Sequence, residues 1–129
     1  MKLSIVNPRG VVYEGDTEYV VVDGNNGQLA ILVNHIPVVV PIKEGFVKRV
    51  NGNDEYHYAI VSGLLEQSNN IITVIAQEIG QGETLENARD DLKRIRDIQK
   101  EKNYHATMDY AKIERDLAKN IKEIKASKL

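Results

Sequence analysis

All nine glycines and all three prolines of this 129-residue chain lie before residue 83, and from Glu83 to Leu129 there is neither. Glycine supplies the backbone freedom of tight turns, and proline bends or ends a strand. A chain that uses both every few residues and then drops them changes its kind of structure at that point. The sequence therefore predicts an α+β protein in two parts: an antiparallel β-sandwich over residues 1–83, then a two-helix hairpin over residues 84–129. Charge follows the same division. Residues 1–83 carry ten acids and five bases, net -5, whereas residues 84–129 carry nine acids and twelve bases, net +3.

Within the first part, short runs rich in β-branched residues alternate with turn signals. Lys2 to Val6 and Val11 to Glu14 flank Asn7-Pro8-Arg9-Gly10 and predict a hairpin. Thr17 to Val22, Gln28 to Val33 and Val38 to Ile42 follow, separated by the Asp23 to Gly27 loop and the His35 turn. Phe46 to Val50 and Glu55 to Val61 flank Asn51-Gly52-Asn53-Asp54, a strong hairpin signal; Gly63 to Gln67 and Ile71 to Ala76 flank Ser68-Asn69-Asn70. Many short strands at this spacing belong to a sandwich or barrel. Gly24 to Gly27 and Asn34 to Pro37 are expected to turn at the surface as a rigid docking rim.

In the second part, Leu85, Ala88, Leu92, Ile95 and Ile98 form one apolar stripe, with Thr84 as N-cap and Glu86 in the first turn. After a break near Asn103 to Ala106, Tyr110, Ile113, Leu117, Ile121 and Ile124 form another. Two narrow stripes bury each other in a hairpin of modest stability, able to open or re-dock.

The chemistry legible in the residues is sparse. There is no cysteine, so disulfides, thiolate metal sites and cysteine nucleophiles are excluded. His35, His57 and His105 lack the spacing of a metal pair, and neither a nucleophile elbow nor a phosphate-binding loop is present. No catalytic site, metal or cofactor is expected. No apolar run approaches the ~20 residues of a membrane helix, and Pro8 interrupts the start of the chain before a signal-peptide core develops. A soluble, cytoplasmic protein is expected. Nucleic-acid binding is disfavoured, because the lysines of the second part alternate with acids and no aromatic platform accompanies them. An alternative reading is a small β-sandwich ligand-binding module with a helical oligomerisation tail, which predicts an aromatic-lined pocket.

The order of motifs resembles the epsilon subunit of F-type ATP synthases over the whole chain. Gly24, Gly27, Ile31, His35 and Pro37 are in register with the family's Gly-x-x-Gly-x-x-Gly-[Ile/Val]-x-Pro-x-His-x-Pro loop, with Ala30 at the third glycine and Val33 at the first proline. Val61 to Glu66 looks like the family's Val-Ser-Gly-Gly-[Phe/Leu]-[Leu/Val]-Glu with one residue missing. Leu85-Glu86-Asn87-Ala88-Arg89 looks like its Leu-Asp-x-x-Arg helix start, and Asp109-Tyr110-Ala111 with Leu117-Ala118-Lys119 and Ile121 resembles the second helix of several bacterial members.

The resemblance implies a non-catalytic rotor subunit at the cytoplasmic face of the bacterial membrane. Its sandwich would pack on the gamma subunit and stand on the c-ring, and its helices would inhibit ATP hydrolysis at the catalytic alpha and beta subunits. On that resemblance Gly24, Gly27, Gln28, Asn34, His35 and Pro37 form the ring- and gamma-facing loop. Arg115, Lys119 and Lys122 would meet an acidic loop of the beta subunit. Glu86 and Arg89 sit where some members bind ATP as a regulatory ligand, but Asp90 replaces their usual alanine and would repel phosphates, and Gly80 stands where they often have glutamate.

Overall fold

The structure, a computed structural model, describes residues 1–102. Seven strands are followed by a helix: β1 Lys2–Asn7, β2 Gly10–Asp16, β3 Tyr19–Gly24, β4 Gly27–Ile31, β5 Val38–Asn51, β6 Asp54–Ser68, β7 Ile71–Gly82, and α1 over residues 85–102. Hydrogen bonding links the strands in the order β2-β1-β7-β6-β5-β3-β4. The chain divides into two compact units, Met1–Arg94 and Ile95–Leu129, and the first takes in the strands with the opening turns of α1. The second helix expected after Thr107 lies outside the described residues.

The sequence predicts Val38 to Ile42, Phe46 to Val50, Glu55 to Val61 and Gly63 to Gln67 as separate strands; they are halves of β5 and β6. Pairing along β5 and β6 passes from Ile42↔Gly63 to Glu44↔Val61 without a Lys43–Ser62 step. Between β6 and β7 it passes from Gly63↔Ala76 to Val61↔Glu78. At this point Ser62 takes the left-handed conformation, φ 53°, which few non-glycine residues adopt. The alternation of side chains changes phase there. Leu65 and Gln67 are buried on one side of Ser62, and Tyr58 and Ile60 on the other. In β7 the buried set shifts likewise, from Ile72, Val74 and Ala76 to Ile79.

Residues from both halves line one core, which holds Ile42, Leu65, Ile72 and Val74 together with Val47, Tyr58, Ile60 and Ile79. The long strands therefore fold over, and one ladder supplies both walls of a sandwich. The front wall is β2, β1 and the 71–76, 63–68 and 38–42 segments; β1 pairs only with Ile71 to Ile75 of β7. The back wall is the remaining halves with β3 and β4; β3 pairs only with Phe46 to Val50 of β5. The expectation of a purely antiparallel sandwich is corrected at one place, because β1 runs parallel to β7. A run of residues cannot reveal this, since parallel and antiparallel partners share the same period-two pattern. Residues 77–82, expected to lie beyond the last strand, extend β7 along the back wall.

At one edge of the core Arg49 closes the space between the walls. Its guanidinium carbon stands 4.2 Å from the centroid of the Tyr13 ring and 4.8 Å from that of Tyr56. Its Nε donates to the Tyr58 hydroxyl at 3.0 Å. Two cation–π contacts and a charge-assisted hydrogen bond compensate for placing a cation beside apolar residues.

The start of α1 packs on the outer face of the back wall. Thr84 caps it, its Oγ1 accepting from the Asn87 N–H at 3.1 Å, as the sequence predicts. Ala88 and Leu92 cluster with Ala59 and the half-buried Val61. Asp91 Oδ2 accepts from the Gln81 amide at 2.9 Å, satisfying a donor of β7. This close approach requires glycine at position 80, where a Cβ would overlap the Ala88 carbonyl oxygen and crowd the Leu92 nitrogen. Gly80→Val should push α1 off the wall at a cost of about 1–3 kcal/mol, as overpacking does elsewhere. Denaturant unfolding would measure the loss, and faster hydrogen exchange in residues 85–94 would locate it.

Candidate functional site

The two turns expected to form a single rim stand at opposite ends of β4, whose five residues span about 16 Å. The Gly24–Gly27 turn closes the hairpin of β3 and β4, with Gly24 paired to Gly27. It lies against β5 where that strand folds: Asn25 Oδ1 accepts from the Lys43 amide at 3.0 Å. Gln28 is exposed beside it, on a shallow groove of about 340 Å³ lined also by Leu29, Val39 and Pro41.

The Asn34–Pro37 turn belongs to the other end. There the Asn34 amide donates to Asn70 Oδ1 at 2.6 Å, and Asn70 Nδ2 donates back to Asn34 Oδ1 at 3.1 Å. Both asparagines are left-handed, with φ of 65° and 59°, a conformation asparagine tolerates better than most residues. The buried Gln67 reaches from β6 and donates through Nε2 to the His35 carbonyl at 3.1 Å. His35 Nδ1 lies 2.7 Å from the Ile36 carbonyl oxygen, which fixes the ring within the turn. Two residues, Gln67 of β6 and Asn70 of its following turn, thus hold through three hydrogen bonds a loop that has no secondary structure of its own. Pro37 is exposed, as are Leu32, Val33 and Ile36, the last at 76%.

Sequence reasoning placed His35 and Pro37 at the surface and overlooked the aliphatic side chains around them. Their signal was present, in a Leu-Val-x-x-Ile run inside a turn. It also overlooked the outer face of the front wall. There one transverse row is apolar across all five strands: Val11↔Val6↔Ile75↔Leu64↔Pro41. Val11 is 61% and Ile75 56% exposed, Pro41 is exposed, and Val6 and Leu64 are half-buried. Side by side in register, these side chains make a continuous apolar strip on the outer face.

Glu86 and Arg89 are both exposed on α1, with Asp90 exposed beside them. Arg115, Lys119, Lys122 and His105 lie outside the described residues. Among the described residues no group of acids and histidines could hold a metal ion, and no helix is long and apolar enough to cross a membrane. Among the described residues, Tyr13, Tyr56 and Tyr58 gather around Arg49 rather than lining the pocket that a ligand-binding module needs. Tyr13 and Tyr56 are stacked on Arg49, and Tyr58 is buried.

This is a folded-over β-sandwich with an exposed apolar row on one wall and a clasped loop at its end, and with the start of α1 packed on the opposite wall. Residues 1–82 match the model of the family described as ATP synthase, Delta/Epsilon chain, beta-sandwich domain. The ATP synthase epsilon chain of Macrococcus caseolyticus is 30% identical over 132 residues, 99% of this chain and 96% of that one. The epsilon chain of Anoxybacillus flavithermus is 37% identical over 89 residues, 69% of this chain and 66% of that one. Among solved structures, a chain of the Euglena gracilis mitochondrial ATP synthase, in its OSCP/F1/c-ring assembly, superposes with a TM-score of 0.57 at 15% identity, covering 61% of this chain and 51% of that one. A chain of the Tetrahymena thermophila mitochondrial ATP synthase central stalk and c-ring superposes with a TM-score of 0.53 at 13% identity, covering 61% and 64%. At those identities the shared property is the fold. The chain belongs to the ATP synthase delta/epsilon chain family, on the epsilon side, whose members are non-catalytic subunits of that complex.

Burial raises the Tyr58 hydroxyl above its ordinary value of 10.0, against the Arg49 hydrogen bond and charge, which lower it. Above that value the unfolded chain releases this proton first, so folding loses stability as pH rises through the higher folded value. Below pH 10.0 the contribution is complete. Urea midpoints measured from pH 8 upward should fall more steeply above pH 10.0 for the unaltered chain than for Tyr58→Phe.

Proposed function

We propose that this chain is a central-stalk rotor subunit of an F-type ATP synthase, coupling c-ring rotation to the gamma subunit and restraining ATP hydrolysis through its C-terminal residues. The observation that carries the reading is the apolar row Val11, Val6, Ile75, Leu64 and Pro41 on the wall opposite α1. A subunit that transmits torque needs a broad contact that does not slip. A flat apolar strip on a hydrogen-bonded sheet offers one, because burying it on gamma gains stability roughly in proportion to area. The clasped Asn34–Pro37 turn suits a second contact, on the c-ring. Its hydrogen bonds to Gln67 and Asn70 fix the loop before binding, so little ordering entropy remains to be lost there.

Gln28 and the Gly24–Gly27 turn, at the far end of β4, supply a separate contact to the same partners. Gln28 is neutral, so its contact is a hydrogen bond and depends little on salt. The restraint of hydrolysis rests on Arg115, Lys119 and Lys122 meeting acids of the beta subunit, within a segment whose residues 84–129 carry net +3. Glu86 and Arg89, with Asp90 beside them, make a poor site for a nucleotide phosphate. The complex would hold this chain at the cytoplasmic face of the membrane without inserting it.

The test uses a synthase complex stripped of this subunit and rebuilt with purified chain. Ile75→Asp puts a charge in the middle of the apolar row and should weaken rebinding at least tenfold, the equivalent of about 1.4 kcal/mol, while leaving the fold intact. Unchanged rebinding would exclude this wall as the gamma contact. A chain lacking residues 84–129 should still rebind and should raise ATP hydrolysis above that of the complex rebuilt with the whole chain. Equal hydrolysis would remove the inhibitory role.

A further inference from the structure

The turn between β5 and β6 holds an arrangement that docking does not use. Asn51 is followed by Gly52, and the two lie at an exposed turn in which Gly52 has φ 64°. Nothing lies within 4 Å of where a Gly52 Cβ would be, so the turn is open to water. The Gly52 nitrogen donates to Glu18 Oε2 at 2.9 Å. Glu18 is itself anchored, its own amide donating to the Val50 carbonyl at 3.1 Å. We propose that Asn51 is a self-modifying site, at which the Glu18 carboxylate assists attack of the Gly52 nitrogen on the Asn51 side-chain amide.

The step balances without an added oxidant or cofactor. The Gly52 nitrogen forms a bond to the Asn51 side-chain carbonyl carbon as its proton passes to Glu18. The bond from that carbon to the side-chain nitrogen then breaks, and the proton returns from Glu18 so that ammonia leaves. Water opens the resulting cyclic imide, giving either aspartate or its isomer linked through the side-chain carboxyl. A base has to lie within hydrogen-bond reach of the proton that it removes, and Glu18 satisfies that distance. Glycine at position 52 adds no side chain to obstruct ring closure.

The consequence is local and electrostatic. Asn51 is paired directly across the ladder with Asp54, so its conversion sets two carboxylates opposite each other, which weakens a hairpin. The isomeric linkage also lengthens the backbone by one atom and breaks the register at the end of β5, two residues from Arg49. The site would thus count elapsed time by loosening the edge of the core.

A second Asn-Gly pair supplies the internal control. Asn26-Gly27 also lies in an exposed hairpin turn, with Gly27 at φ 103° and nothing within 4 Å of where its Cβ would be. The Gly27 nitrogen has no carboxylate on it among the described residues. The experiment incubates the whole chain at neutral pH and follows both dipeptides by mass-spectrometric peptide mapping, with and without denaturing urea. In the folded chain Asn51 should convert about a hundredfold faster than Asn26, the lower end of the usual range for proton-transfer assistance, and urea should make the two rates alike. Glu18→Gln, which keeps the shape and removes the base, should bring the Asn51 rate down to that of Asn26. Glu18→Asp, which draws the carboxylate back by one methylene, should give an intermediate rate and serves where the glutamine variant fails to fold. Conversion of Asn51 no faster than Asn26 in the folded chain, or a rate indifferent to both substitutions, overturns the proposal.

Discussion

The fold-over of the long strands at Ser62 is the constraint on which the rest depends. A straight β6 of fifteen residues would present one face to a core and one to water along its whole length. The left-handed Ser62 shifts that alternation by one residue. Each half of β5, β6 and β7 then directs a different parity inward, and the two halves meet as opposing walls. Because the walls share their strands, a displacement of one is carried to the other through covalent backbone and ladder hydrogen bonds. That continuity ties the two walls of a small sandwich together.

Each exposed feature takes its position from the same folding-over. The front wall leaves an outer face on which Val11, Val6, Ile75, Leu64 and Pro41 fall into one row, because the register of four strand pairs places them there. On the back wall the outer face has Ala59 and Gly80 paired across β6 and β7, small enough to admit a helix. One face is open and apolar while the other carries the first turns of α1. The asymmetry separates an open apolar wall from a wall that carries the start of the C-terminal part.

Much of this was legible in the residues, and what was not has definite causes. Turn signals at Asn7 to Gly10, Asn51 to Asp54 and Ser68 to Asn70 located three hairpin ends, because asparagine and glycine tolerate the backbone that such turns demand. Thr84 marked the start of α1 through its side-chain oxygen. The continuity of β5 and β6 was hidden, because a phase change in the burial pattern reads like a turn when only one chain segment is in view. Gln67 read as a polar strand residue; only the folded chain brings it beneath His35, thirty-two positions earlier. The Gly24–Gly27 and Asn34–Pro37 turns, close in sequence and read as one rim, prove to be separated by the length of β4.

By itself the sequence determined the kinds of element and their order. Local backbone preference, side-chain periodicity and the sudden loss of glycine and proline act over a few residues at a time. It also carried the family's loop and helix-start motifs, which are local in the same sense. Tertiary structure alone decided which strands became neighbours, that β1 lies parallel to β7, and that five aliphatic side chains from five strands align on one wall. Those outcomes depend on register between residues distant in the chain, and register is settled by burying one shared core, a property that no single stretch contains.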